Sequence, residues 1–407
     1  MSSLRVLRWL RLAYLGSALA ASACGWKVDP SGADVSVAAG GINTCALAGG
    51  KVWCWGGNEF GQVGINTSGS GAYVSTPQQI GLTNAQSVAV GVGAACAVAN
   101  GALWCWGYDQ VGALGTASPT SVLAPTRMPS LTSGVQAVAV GSASACAVTS
   151  SGLACWGKNT HGELGNGTTT DSRTPVGVPA LTSAVQSVSV GYGFACAVAN
   201  AKAWCWGYNA SGQLGNGTTT DSATPVQVAS LSTGVRAIAA GGRHACALVT
   251  DGVKCWGYNR MGELGNGSIT DSSVPVAVKW VKNTDSVQQL AVGDSHTCAV
   301  VNGAAVCWGE NAYAQLGRNA QSPQPGDGGT VYTLTSNVSQ VAAGRAHACA
   351  ARDGGVWCWG ARWFASPCTC TGEACTAQGC GAQSSNAGVL GTGSTTGSVA
   401  PVHVFDP

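Results

Sequence analysis

Short runs in which apolar and polar positions alternate recur along the chain, as from Val185 to Val190 and from Val235 to Ala240. A period of two over six residues predicts β-strands with one buried face. Each alternating run leads to a second stretch built on Cys-Ala-Leu or Cys-Ala-Val, such as Cys196 to Val198 and Cys246 to Val249, and then to a third that ends in Cys-Trp-Gly. A fourth segment follows a Thr-Pro or Val-Pro at Pro175, Pro225 and Pro275. Proline cannot donate to a ladder, so this segment is placed outermost.

The Cys-Trp-Gly triplet begins at Cys54, Cys105, Cys155, Cys205, Cys255, Cys307 and Cys358, with spacings of 50 to 52 residues. Seven copies of a four-stranded antiparallel unit with this period predict an all-β fold, a seven-bladed β-propeller occupying residues 34–405. The tryptophan after each cysteine faces the opposite side of its strand and is read as packing between neighbouring sheets.

Pairing the cysteines nine apart in the first repeat leaves Gly49-Gly50 as a two-residue turn, and the same construction gives Asn100-Gly101, Asn302-Gly303 and Asp353-Gly354. These dipeptides suit type I′ hairpins. Ser150-Ser151, Asn200-Ala201 and Thr250-Asp251 fit less well and leave room for longer loops. In that register each cysteine pair occupies a non-hydrogen-bonded site, the closer of the two kinds, within disulfide reach. The expected bridges are Cys45 to Cys54, Cys96 to Cys105, Cys146 to Cys155, Cys196 to Cys205, Cys246 to Cys255, Cys298 to Cys307, and Cys349 to Cys358. The spacing lacks the close cysteine knuckle of structural zinc sites.

Composition narrows the reading. Sixty glycines and 9% charged residues exclude a helical bundle, and 45% apolar residues exclude general disorder. A formal charge of +2 carries no electrostatic footprint for nucleic acid, which is not expected as a partner. Nineteen cysteines ask for an oxidising compartment. Arg5, Arg8 and Arg11 precede a short apolar run from Leu12 to Ala21, which reads as a signal peptide over residues 1–23. Ala21-Ser22-Ala23-Cys24 permits two processing routes, ordinary cleavage or lipidation of Cys24. The second is favoured because the other 18 cysteines can all pair. Residues 24–33 are then a linker, and a lipid at Cys24 is the only membrane contact expected.

Gly241 to Leu248, Gly252 to Asn259 and the Gly262 to Gly267 stretch Gly-Glu-Leu-Gly-Asn-Gly closely resemble the repeat of the regulator of chromosome condensation family. The resemblance covers about nine tenths of the chain and implies the seven-bladed fold. It does not fix a function. The family's nucleotide-exchange and chromatin roles do not suit an exported, nearly neutral, disulfide-bearing chain. Exported bacterial members look like binding proteins, one group of them β-lactamase inhibitors. His244, His296 and His347 belong to the family's pattern, which implies a structural hydrogen bond rather than a metal site.

In an antiparallel order, the loops joining the first to the second strand and the third to the fourth emerge on one face. Residues there differ between repeats. Phe60, Tyr192, Phe194, Arg243, Arg260, Met261, Tyr313 and Arg345 are the candidate partner contacts, because aromatics and arginine anchor interfaces. The last repeat carries an insertion at 361–385, opened by Trp363 and Phe364 and holding Cys368, Cys370, Cys375 and Cys380. Two disulfides are favoured over zinc there, and the loop is the strongest single contact candidate.

No nucleophile-base pair, phosphate loop or paired carboxylates stand out, so neither catalysis nor a cofactor or metal is expected. The function expected is an exported, envelope-anchored, monomeric propeller that binds a protein. A glycan-binding module, an inhibitor of an exported enzyme such as a β-lactamase, and an exported hydrolase or lyase are the alternatives.

Overall fold

The computed structural model describes residues 35–109, 112, 114–115, 121–318, 328–361, 369–371, 374–376, 390–393 and 397–407. Seven four-stranded antiparallel sheets stand around an axis, each with its strands in chain order. The first strands are Ser36–Ala39, Ala85–Val90, Val135–Val140, Val185–Val190, Val235–Ala240, Val287–Val292 and Val338–Ala343. They line the central channel. The ring closes by complete blades. The seventh blade takes its outer strand, Ser398–Phe405, from its own repeat, and the first strand of blade 1 packs directly against blade 7.

Cysteine pairing follows the expected register. Cys45 lies opposite Cys54, and the six equivalent pairs do the same. All seven are disulfide-bonded, with Cα atoms 4.0 to 4.1 Å apart. Every hairpin between second and third strands has a two-residue turn, including the three for which the sequence left longer loops open. Asn200 and Ala201 both take positive φ, 53° and 55°. At Ser150-Ser151 and Thr250-Asp251 the left-handed conformation passes instead to the next residue, Gly152 or Gly252, with φ near 117° and 119°. Glycine accepts that region without a Cβ penalty.

The core lies between blades. Trp256 of blade 5 shares a buried cluster with Cys196 and Cys205 of blade 4, and Trp308 of blade 6 with Cys246 and Cys255 of blade 5. Each disulfide thus faces the next sheet and each tryptophan the previous one, as alternation requires. The outer strands correct one expectation. Ser172–Gly177, Ser222–Gln227 and Ser272–Ala277 begin three residues before their prolines. Pro175, Pro225 and Pro275 fall inside a register shift on the edge, where no ladder N–H is missed.

Around the axis, the residue after each first strand is glycine, and the blades touch there backbone to backbone. A Cβ on Gly40 would lie 2.0 Å from the carbonyl oxygen of Gly91, and one on Gly241 equally close to that of Gly293. Gly41 N–H donates to Gly91 O, Tyr192 N–H to Gly241 O, Asp294 N–H to Gly344 O, and Arg345 N–H to Gly40 O. The last of these bonds the seventh blade to the first.

Candidate functional site

The turns between third and fourth strands share one construction. Asn159 Oδ1 accepts from Leu164 N–H at 2.9 Å, while its Nδ2 donates to the Thr168 and Thr170 carbonyls. Asn58, Asn209, Asn259 and Asn311 accept in the same way from the N–H five residues on. A buried Gln or Glu then caps the tip. Phe60 N–H donates to Gln62 Oε1, His161 to Glu163 Oε2, Ser211 to Gln213 Oε1, Met261 to Glu263 Oε2, and Tyr313 to Gln315 Oε1, at 2.7 to 2.9 Å. The backbone of the same Gln or Glu accepts the indole N–H of the next blade's tryptophan, as with Trp106 on Gln62 O and Trp359 on Gln315 O. Five fixed turns therefore display five different residues: Phe60, His161, Ser211, Met261 and Tyr313.

Capping has a cost at one position. Glu263 is wholly buried, and among the described residues its Oε1 has no hydrogen-bond partner. Burial first, then the nearby Glu310 and Asp271 charges, push its carboxyl up to about 7 against the hydrogen bonds it accepts.

These turns share a face with the loops between first and second strands. Lys158, Tyr208, Tyr258 and Glu310, each just past a Cys-Trp-Gly, donate their N–H to the carbonyls of Ala143, Gly193, Arg243 and Ser295. At the axial mouth Tyr192, Asp294 and Arg345 gather around the channel. Arg345 Nε stands 3.8 Å from Asp294 Oδ2. Burial raises the Asp294 carboxyl, and Arg345 and Arg243 oppose that rise. Burial also raises the Tyr192 hydroxyl, so that it stays protonated.

The structure sorts the residues singled out by sequence. Arg243, Arg260 and Arg345 are exposed, and Tyr192 and Tyr313 are half-buried. Phe60 and Met261 are 40% and 42% exposed, and the Phe60 ring lies 4.7 Å from that of Tyr108. Tyr192 and Arg345 meet at the axis, whereas Phe60, Arg260, Met261 and Tyr313 stand on turns of separate blades or separate turn positions. Phe194 is a correction: it is wholly buried and begins the second strand, Phe194–Ala199. Its ring packs over Gly191, where an added Cβ would come within 2.5 Å of it. It fills the place that histidine takes in later blades and cannot meet a partner.

Those histidines are also buried. His244 Nε2 lies 2.8 Å from Thr297 Oγ1 in the next blade, and His347 Nε2 2.8 Å from Thr44 Oγ1 across the ring closure. Cys24, Trp363, Phe364, Cys368 and Cys380 lie outside the described residues. Cys370 and Cys375 lie opposite each other in a ribbon formed by Thr369–Thr371 and Ala374–Thr376. Sequence reasoning missed the capping Gln/Glu and the Asn that fixes each turn. Their recurrence at constant distance from Cys-Trp-Gly was the available signal.

The protein is thus a disulfide-stapled propeller in which one pattern of turn hydrogen bonds repeats beneath residues that differ. Its repeats match the model of the regulator of chromosome condensation (RCC1) repeat over residues 49–98, 100–148, 154–198, 200–248 and 252–300, and a second model of that repeat over 235–263. The chain belongs to the RCC1 repeat family. Human WBSCR16 is similar in structure, with a TM-score of 0.70 at 20% identity, covering 88% of this chain and 94% of that one. Yeast RCC1 (Prp20), solved bound to Kap60, gives a TM-score of 0.71 at 17% identity over 100% of this chain and 91% of that one. Saccharomyces cerevisiae Prp20p, whose binding to Gsp1p and histones accompanies its structure, gives 0.66 at 18% identity, covering 87% and 86%. At these identities the likeness is one of fold.

Proposed function

We propose that the protein is an exported binding propeller that docks a protein partner on the face carrying the capped turns. The observation that carries this reading is the display itself: Phe60, His161, Ser211, Met261 and Tyr313 differ while the hydrogen bonds beneath them repeat. Rigid turns lower the ordering cost of association, so varied tips on a fixed base suit recognition. Large exposed apolar side chains fall the same way. Phe60, Tyr73, Met261 and Ile269 lie on or next to these turns, and Tyr332 lies on the opposite face. Yeast RCC1 (Prp20), a protein of similar fold, was solved bound to another protein, Kap60. The seven disulfides support an oxidising, exported setting. The first strand starts, and the last strand ends, on the face away from the turns. A lipid on Cys24 would therefore present the turns outward.

Capture of cell-envelope proteins by immobilised protein tests the reading. The double variant Phe60→Asp, Met261→Asp should lose specific capture by about tenfold or more, while Tyr332→Asp should retain it. Equal loss from Tyr332→Asp would overturn the choice of face. Capture of glycan alone would replace the protein partner with a sugar. The mass of the purified mature chain decides between a diacylated Cys24 and a free one.

A further inference from the structure

Between blades 3 and 4 the turn-bearing face opens into a cavity of about 380 Å³. It exists because small residues stand where other repeats carry large ones. Ser142, Ala143 and Ser144 form one wall, where the sixth repeat has Asp294, Ser295 and His296. Gly193 forms another, where the fifth repeat has Arg243. Larger polar groups converge on the space from three blades: Lys158 and His161 from the third, Tyr192 and Tyr208 from the fourth, and Arg243 from the fifth.

His161 is locked in place. Its Nδ1 lies 2.8 Å from Asp221 Oδ2, its ring centroid 4.8 Å from that of Tyr208, and its N–H donates to Glu163 Oε2. An ionised aspartate only accepts, so the Nδ1 proton points to Asp221 and Nε2 is the remaining polar atom of the ring. Glu163 is 2% exposed and also lines the cavity, but one of its oxygens is already spent on the His161 N–H. Lys158 and Arg243 are both exposed, and neither has an ion-pair partner among the described residues. The rim therefore offers two cations with no close ion pair, Arg243 also lying near enough to Asp294 to act on its carboxyl, and two phenols around a volume several times that of a small ion.

We propose that this cavity receives the carboxylate of an acidic side chain on a protein partner, held between Arg243 and Lys158 with Tyr192 and Tyr208 at its flanks. Arginine matches a carboxylate with a fixed fork of donors, and lysine adds a point charge. The source of the carboxylate rests on the docking face proposed above; the chemistry of the cavity does not.

Titrating the mature protein with a fluorescently labelled, end-blocked hexaglutamate peptide, and with its hexaglutamine counterpart, tests this by anisotropy. The glutamate peptide should bind at least about tenfold more tightly, and Arg243→Gln and Lys158→Gln should each weaken it by about tenfold. Ser142→Phe fills the mouth without changing charge and should abolish binding. Equal affinity for the two peptides, or binding indifferent to Ser142→Phe, would overturn the proposal. Stronger binding of glucuronate than of the peptide would overturn the protein source in favour of an acidic sugar. If Ser142→Phe removes peptide binding but leaves envelope-protein capture intact, the carboxylate site stands and the docking role assigned to this part of the face fails.

Discussion

His244 and His296 occupy the same place in adjacent blades, yet only one is tied to its neighbour. His244 reaches Thr297 at 2.8 Å, as His347 reaches Thr44. The residue facing His296 in the seventh blade is Ala348, and among the described residues neither ring nitrogen of His296 has a hydrogen-bond partner. The seam between blades 6 and 7 lacks the polar tie that the seams between blades 5 and 6 and between blades 7 and 1 carry. It is held by packing around Trp359 and Cys298–Cys307 and by the Val341 N–H donating to Gln289 Oε1, as the closing seam also is by Val37 and Gln340. A repeated residue therefore does not guarantee a repeated interaction. The tie belongs to a pair of positions in successive repeats.

Acid should break both kinds of seam and has the largest expected effect. Burial holds His244 and His296 down to about 3 and His347 to about 4. The unfolded chain takes up these three protons near pH 6.5 and the folded one does not. The histidine contribution is thus full above pH 6.5 and is lost as pH falls toward 4, by about 1.4 kcal/mol per pH unit for each proton. Glu263, raised to about 7, acts in the opposite sense: its contribution is present below about 4.5 and lost as pH rises through 7. It offsets about one of the three protons between those limits. Chemical denaturation from pH 7 to 4 should show the net fall, and a flat profile would contradict the buried neutral histidines.

Next in size is Gly344→Ala at the closing seam. Its Cβ would meet Gly40 O at 2.4 Å and the His347 ring at 2.5 Å, for a cost of about 3 kcal/mol in denaturant titration. Thr297→Val should turn the His244 seam into one like that of His296 and cost about 2 kcal/mol, because it strands a buried ring nitrogen. The converse change, Ala348→Thr, should give His296 its missing partner and raise stability by about 1 kcal/mol. If Ala348→Thr leaves the melting temperature unchanged while Thr297→Val lowers it, the two seams differ by more than this pair.

Blades, disulfides and tryptophan seams were legible because they depend on local register. A nine-residue separation around a two-residue turn leaves one pairing, and alternation then assigns Cys and Trp to opposite faces. Phe194 was misplaced because the second strand begins two residues before its cysteine, which leaves Gly191-Tyr192-Gly193 as the whole connection. A variable position looked exposed when it was filling a groove over Gly191. The outer prolines were offset for a related reason, since a register shift lets the edge strand run through them. Neither the Asp221 hold on His161 nor the cavity beside it could be read from sequence, because the two residues are 60 positions apart and meet only once the sheets are arranged around the axis.

Closure by complete blades means that the boundary between the seventh blade and the first is chemically an ordinary one. Gln340 Oε1 receives the Val37 N–H there, Thr44 meets His347, and Trp55 packs edge-on to Phe405 at 5.7 Å. Among the described residues no strand is exchanged across it, so the wheel has no privileged starting sector. A circular permutant joined through the present ends and reopened between any other two sectors would preserve every one of these contacts, with the same pattern of tips facing outward.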